Sequence, residues 1–198
     1  MPEWLTIFGY AIIILASLTA TVLRNWRFTL IALAVQYLGI TIILSFAAPI
    51  GIAIIKLIVG WMSCAVMGIT CMSIKQLDLY EGKNLFSRLL FRAVAAILIF
   101  LVVLSLMPGV SQTFLSDIPD VILLPSFSLL ALGLLQLGMT TSTFYAIAGL
   151  LTFFSGFELL YSVLESSSLV VGLLAVVNMG LVSVGAFILI NEQEENNI

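Results

Sequence analysis

Apolar residues fill this chain in runs of about 20, long enough to cross the hydrocarbon core of a bilayer, and short polar or basic segments punctuate them. The runs predict seven helices, at about residues 4–23, 28–47, 50–74, 88–107, 120–139, 144–165 and 168–190. Arg24-Asn25-Trp26-Arg27 closes the first with a basic, aromatic turn of the kind found at membrane interfaces. Pro49 breaks the second from the third, and the charged segment from Lys75 to Lys83 separates the third from the fourth. The fourth starts at Arg88 and Arg92, which are expected to snorkel to the interface. Its exit loop, MPGVSQTFLSDIPD, carries acids and no bases, and Pro125 falls in the first turns of the fifth helix, where proline is tolerated. MTTST and ESSS make the last two turns, and NEQEENNI is a polar tail.

Within this pattern the stretch from Thr152 to Glu165, TFFSGFELLYSVLE, stands apart because an apolar run carries two carboxylates. At 100° per residue Ser155, Glu158, Ser162 and Glu165 share one narrow side of a helix and climb about 15 Å along it. Lipid charges roughly 2.5–3.5 kcal/mol or more for an ionised group near its centre, so this stripe is expected to face protein or water.

Composition narrows the class. Of 198 residues, 62% are hydrophobic and 9% charged, and the mean hydropathy is +1.26, more apolar surface than a soluble domain of this size can bury. The expected fold is therefore all-α: a polytopic membrane helix bundle with the lipid bilayer as its first partner. The net charge of −3 comes with few, scattered bases, which excludes a nucleic-acid surface. The absence of histidine argues against bis-histidine haem, histidine-bound metals and a histidine proton relay, and no other motif implies a cofactor or metal. Cys64 and Cys71 lie seven apart on one helix, a spacing that suits packing and not a disulfide. MPEWLT lacks a basic leader, and arginines follow the first apolar run, which reads as a retained helix and not a signal peptide.

Six of the seven bases, all but Lys56, lie at the turn after helix one or around the connection between helices three and four. Those two loops share a side, so the positive-inside rule predicts an outer N-terminus and a cytoplasmic C-terminus. The crossing pattern also predicts one membrane domain over 1–198 built as two parallel three-helix repeats, 1–75 and 119–190, with the segment 76–118 between them and the tail 191–198 after them.

Lys56 and Glu158 are expected at equal depth in helices three and six, where they can pair across the bundle. Such a pair is a proton or cation site tuned by its partner, or a structural salt bridge, or it is no pair at all and Lys56 snorkels outward. Asn178 and Gln36 fall deep in helices seven and two, as inter-helix hydrogen-bond formers or as the lining of a hydrated path. Glu165, at the outer boundary, reads as a wet interfacial acid or as part of that path. Gly149, Gly156, Gly172, Gly180 and Gly185 are expected as close-packing points, and the aromatic residues around Phe157 as packed or lipid-facing.

The segments LAVQYLGITIIL with Gln36 and IIKLIVGWM with Lys56, following a tight basic turn, resemble the small three-helix subunit K of bacterial complex I. The chain more closely resembles membrane component E of hydrogenase 4, which looks like two such units joined; GLLTFFSGFELL and LVVGLLAVVNMGL share its cadence. In that component a glutamine and a lysine stand where Gln36 and Lys56 stand here. Its helix-six glutamate corresponds to Phe154, with Glu158 one turn later on the same face, and its acidic helix-seven position is apolar here, with Asn178 the polar residue. The resemblance implies a non-redox subunit of a complex I-like, membrane-hydrogenase-like or antiporter-type assembly in the bacterial inner membrane. It also implies large antiporter-like partner subunits and a part in proton or sodium translocation. On that reading Glu158 exchanges the ion, Lys56 is its charge partner, and Gln36, Ser155, Ser162 and Asn178 orient the path. A purely structural scaffold and a self-standing small transporter remain alternatives.

Overall fold

A computed structural model describes residues 3–74, 85–113, 118–164 and 167–196. These residues form α1 (Glu3–Val22), α2 (Trp26–Ala47), α3 (Ile50–Ser73), α4 (Leu85–Thr113), α5 (Asp120–Gly138), α6 (Thr143–Leu164) and α7 (Ser168–Asn196), and no strand. All seven helices are long and apolar enough to cross a membrane. With exposed leucine, isoleucine, valine and phenylalanine covering their outer faces, the protein is an integral, multi-pass helical bundle.

The helix ends follow local chemistry. Asn25 caps α2, its side-chain oxygen accepting from the Arg27 amide at 3.0 Å, so the helix begins at Trp26, ahead of the predicted start. Pro49 and Pro119 stand immediately before α3 and α5, where a missing amide costs nothing. Two expectations need correction. Helix α4 does not stop at Met107 but runs through Pro108 to Thr113, because inside lipid a helix with one lost bond is cheaper than an unwound segment with many. Helix seven, expected to end at about residue 190, runs on through the polar segment 191–196. That segment is rich in good helix formers, and Glu192 accepts the Thr143 hydroxyl from the start of α6.

The helices form two facing rows, α1–α2–α3 and α5–α6–α7. Helix α1 lies against α5, α2 against α6 and α3 against α7, while α4 packs on α1 and α5 at the edge. Arg92, early in α4, donates to the carbonyls of Thr21 and Met139 at 3.5 and 2.5 Å, at the closing ends of α1 and α5. Those two helices therefore run in parallel with α4 opposed to both. Arg92 thus reaches the ends of its neighbouring helices, and its guanidinium is tucked against the bundle because the C-terminal carbonyls of two helices need a donor there. Arg88, one turn earlier, is exposed as expected.

Helices α5 and α6 approach closest. A Cβ on Gly133 would lie 2.5 Å from the Phe153 amide nitrogen, and one on Gly156 2.7 Å from the Ser126 carbonyl oxygen. Gly149 and Gly185 are also packed closely, but Gly172 and Gly180 meet nothing within 4 Å, so they are not the packing points the sequence suggested. Gly133→Ala is expected to lower stability by roughly 1–3 kcal/mol, since a rigid backbone must move. Gly180→Ala is expected to leave it unchanged or raise it by up to about 1 kcal/mol through helix propensity. Unfolding of both variants in detergent checks the pair, and equal behaviour would mean that the α5–α6 contact is looser than described.

Candidate functional site

The centre of the bundle is apolar, with Leu33, Ile40, Leu129, Leu132, Leu151 and Leu159 fully enclosed, and one group of ionisable side chains interrupts it. Ser155, Glu158 and Ser162 lie along the inward face of α6 and are all buried, as their helical spacing requires. The Glu158 carboxylate, 6% exposed, forms an ion pair through Oε2 with Nζ of Lys56, 8% exposed, from α3. Its other oxygen, Oε1, accepts a hydrogen bond of 2.9 Å from Nδ2 of Asn178 on α7. Three helices thus converge on one carboxylate. The opposite charge and the amide donor are what make an ionised group tolerable at this depth.

A fourth helix completes the enclosure. The Tyr37 ring of α2 lies 5.4 Å from Lys56 Nζ, in reach of a cation–π attraction, and its hydroxyl faces Ser155. Gly60, one turn beyond Lys56, makes room for that ring, since a Cβ there would overlap it. On the other side the pair borders a cleft with about 30 Å³ of space for water, lined in part by Leu44, Ile52, Tyr161, Ser162 and Val171. That is enough for one or two water molecules, and the carboxylate, the ammonium and the free Oδ1 of Asn178 are the polar partners they would need. Chemically, the arrangement can hold a proton or a small cation at Glu158 and exchange it with water, with Lys56 compensating the charge.

The sequence-derived candidates divide accordingly. Lys56, Glu158 and Asn178 meet directly, Ser162 lines the cleft while donating to the Leu159 carbonyl at 2.8 Å, and Ser155 sits about one turn before Glu158, donating to the Leu151 carbonyl at 2.7 Å. Lys56 turns inward to its partner, so outward snorkelling does not occur. Gln36 is not brought to the carboxylate: its Oε1 accepts from Ser17 of α1 at 3.1 Å, and its Nε2 has no partner among the described residues. Glu165 lies outside the described residues.

Tyr37 and Ser17 were not singled out from the sequence. The signal for Tyr37 was the glycine at the fourth position after Lys56, which leaves a ring-sized gap beside a buried ammonium. Ser17 carried none, because a serine in an apolar helix usually bonds its own backbone, as Ser17 also does to Ile13. Together with Gln136, whose Nε2 donates to the Ala20 carbonyl at 3.4 Å, these groups extend a broken series of buried polar side chains from Glu158 towards Arg92.

Compared with protein-family models, curated proteins and solved structures, the chain matches none of them. The class that fold and site define is a multi-pass helical membrane protein with a charge-paired carboxylate buried between four helices.

Proposed function

We propose that this protein is a non-redox integral subunit of a complex I-like, membrane-hydrogenase-like or multisubunit cation/proton antiporter-type assembly, and that it contributes to proton or sodium translocation. The observation that carries the reading is the Glu158–Lys56–Asn178 cluster, enclosed by protein yet bordering a cleft of water size. An acid held inside a membrane bundle with its counter-charge is a favoured place for an exchangeable proton or ion. The likeness of the Gln36 and Lys56 segments to component E of hydrogenase 4 supports the same assignment and supplies the partners, large antiporter-like subunits. The buried polar series on α1, α2 and α5 offers a direction of travel towards the basic end. By the positive-inside rule that end is cytoplasmic in the bacterial inner membrane.

Protonation of Glu158 from one side would release Lys56, and loss of that proton to the other side would restore the pair, so the pair is the switching element. In the assembled complex in sealed membranes, Glu158→Gln is expected to leave assembly intact and to reduce ion translocation severalfold, with Glu158→Asp in between. Unchanged translocation in Glu158→Gln removes this residue from the mechanism. A scaffold role is the second reading, favoured by the fact that Lys56 and Glu158 neutralise each other as a closed pair. Loss of the whole complex in both Glu158→Gln and Lys56→Met would select it.

A further inference from the structure

The bundle's basic end holds a cavity beyond the Glu158 cluster. Arg24, Arg88 and Arg92 line one cavity of about 180 Å³ where the end of α1, the start of α2 and the start of α4 meet. None of the three forms an ion pair with a carboxylate among the described residues, where the ion pair found is that of Lys56 with Glu158. Two of the guanidiniums are held in place. Arg92 is fixed by the Thr21 and Met139 carbonyls, and Arg24 lies 4.5 Å over the Tyr145 ring and reaches the Thr140 hydroxyl at 3.5 Å. Three like charges gathered around one cavity favour an anion among them, and guanidiniums match phosphate oxygens in charge and geometry.

The cavity opens along the membrane instead of ending. Leu23 and Phe28 are shared with a second concavity of about 300 Å³ between the outer faces of α1 and α2, lined further by Ile12, Leu15, Ile31 and Val35. From Leu23 to Ile12 it follows α1 for about 16 Å at 1.5 Å per residue. Thr19, the polar residue on its wall, turns its hydroxyl back to the Leu15 carbonyl, which leaves the groove apolar. A cationic cavity at the interface continued by an apolar channel into the hydrocarbon has the two-part shape of a phospholipid.

We propose that this is a binding site for one anionic phospholipid, with the phosphate on Arg24, Arg88 and Arg92 and an acyl chain along the α1–α2 groove. The charge selects an anionic headgroup over a zwitterionic one. The groove selects a lipid over a free phosphate, which would occupy the cavity and leave the apolar wall bare. The site is independent of the role proposed for Glu158.

The test is lipid retention by the purified full chain, read by native mass spectrometry after exposure to phosphatidylglycerol or phosphatidylcholine vesicles. Wild-type protein is expected to keep one phosphatidylglycerol and to prefer it at least tenfold over phosphatidylcholine. Arg88→Gln, at an exposed position with no bond to lose among the described residues, and Arg24→Gln should each reduce that preference severalfold. Thr19→Phe, at an exposed position on the groove wall, should reduce lipid retention without changing any stabilisation by inorganic phosphate. Melting in lipid-free detergent confirms that each variant is folded. Equal retention of the two lipids, or Arg88→Gln and Arg24→Gln both without effect, overturns the proposal. So does stabilisation by inorganic phosphate equal to that by phosphatidylglycerol with Thr19→Phe inert, which would make the cavity a phosphate site.

Discussion

Lys56→Met alone is expected to destabilise the protein by about 3–5 kcal/mol, and adding Glu158→Gln to restore most of that loss. The single change strands a carboxylate among four helices with one neutral donor, Asn178, in place of an ammonium. The double variant removes both charges, keeps the side-chain volumes nearly unchanged, and lets the introduced glutamine accept from Asn178 through its amide oxygen. Glu158→Gln alone leaves the ammonium beside an amide oxygen and the Tyr37 ring, a milder defect because lysine has a flexible stem. A double-mutant cycle of unfolding in detergent measures the coupling. Two near-neutral single variants would mean that water reaches the pair freely and that its enclosure contributes little.

Arg92→Met is expected to cost about 2–4 kcal/mol, whereas Arg88→Met, one turn away on the same helix, should lie within about 0.5 kcal/mol of wild type. Arg92 donates to carbonyls of two different helices, and methionine leaves those acceptors without a donor where α1, α4 and α5 join. Arg88 is exposed and makes no such bond among the described residues. Thermal unfolding of the two variants side by side in lipid-free detergent is the measurement, since bound lipid would add a contribution of its own at Arg88. Equal losses would show that Arg92 acts through surface charge and not as a clamp between helices.

Much of this site was legible in the chain. A helix of fixed pitch places Ser155, Glu158 and Ser162 on one face whatever surrounds it, and the cost of charge in hydrocarbon dictates that this face turn inward. Equal depth was enough to nominate Lys56 as a partner across the bundle, and nearness to mid-span enough to nominate Asn178. Gln36 shows the limit. It lies deep and polar in α2, yet rotation about that helix sends it to Ser17, and depth counted along a sequence contains no rotation. The same ignorance made Gly172 and Gly180 look like packing points when they face open space.

Taken alone, the sequence determined that the chain has seven helices long and apolar enough to cross a membrane, where most of its turns fall and which residues are too polar to meet lipid, because these depend on run length, helical pitch and solvation. Tertiary structure decided which helices are neighbours and therefore that Glu158 answers to Lys56 and Asn178, that Tyr37 stands over the pair, and that Arg92 is clamped inside while Arg88 is not. The reason is that hydropathy orders positions along the membrane normal, while the azimuth of each helix is settled by contacts between residues far apart in the chain, which no local pattern records.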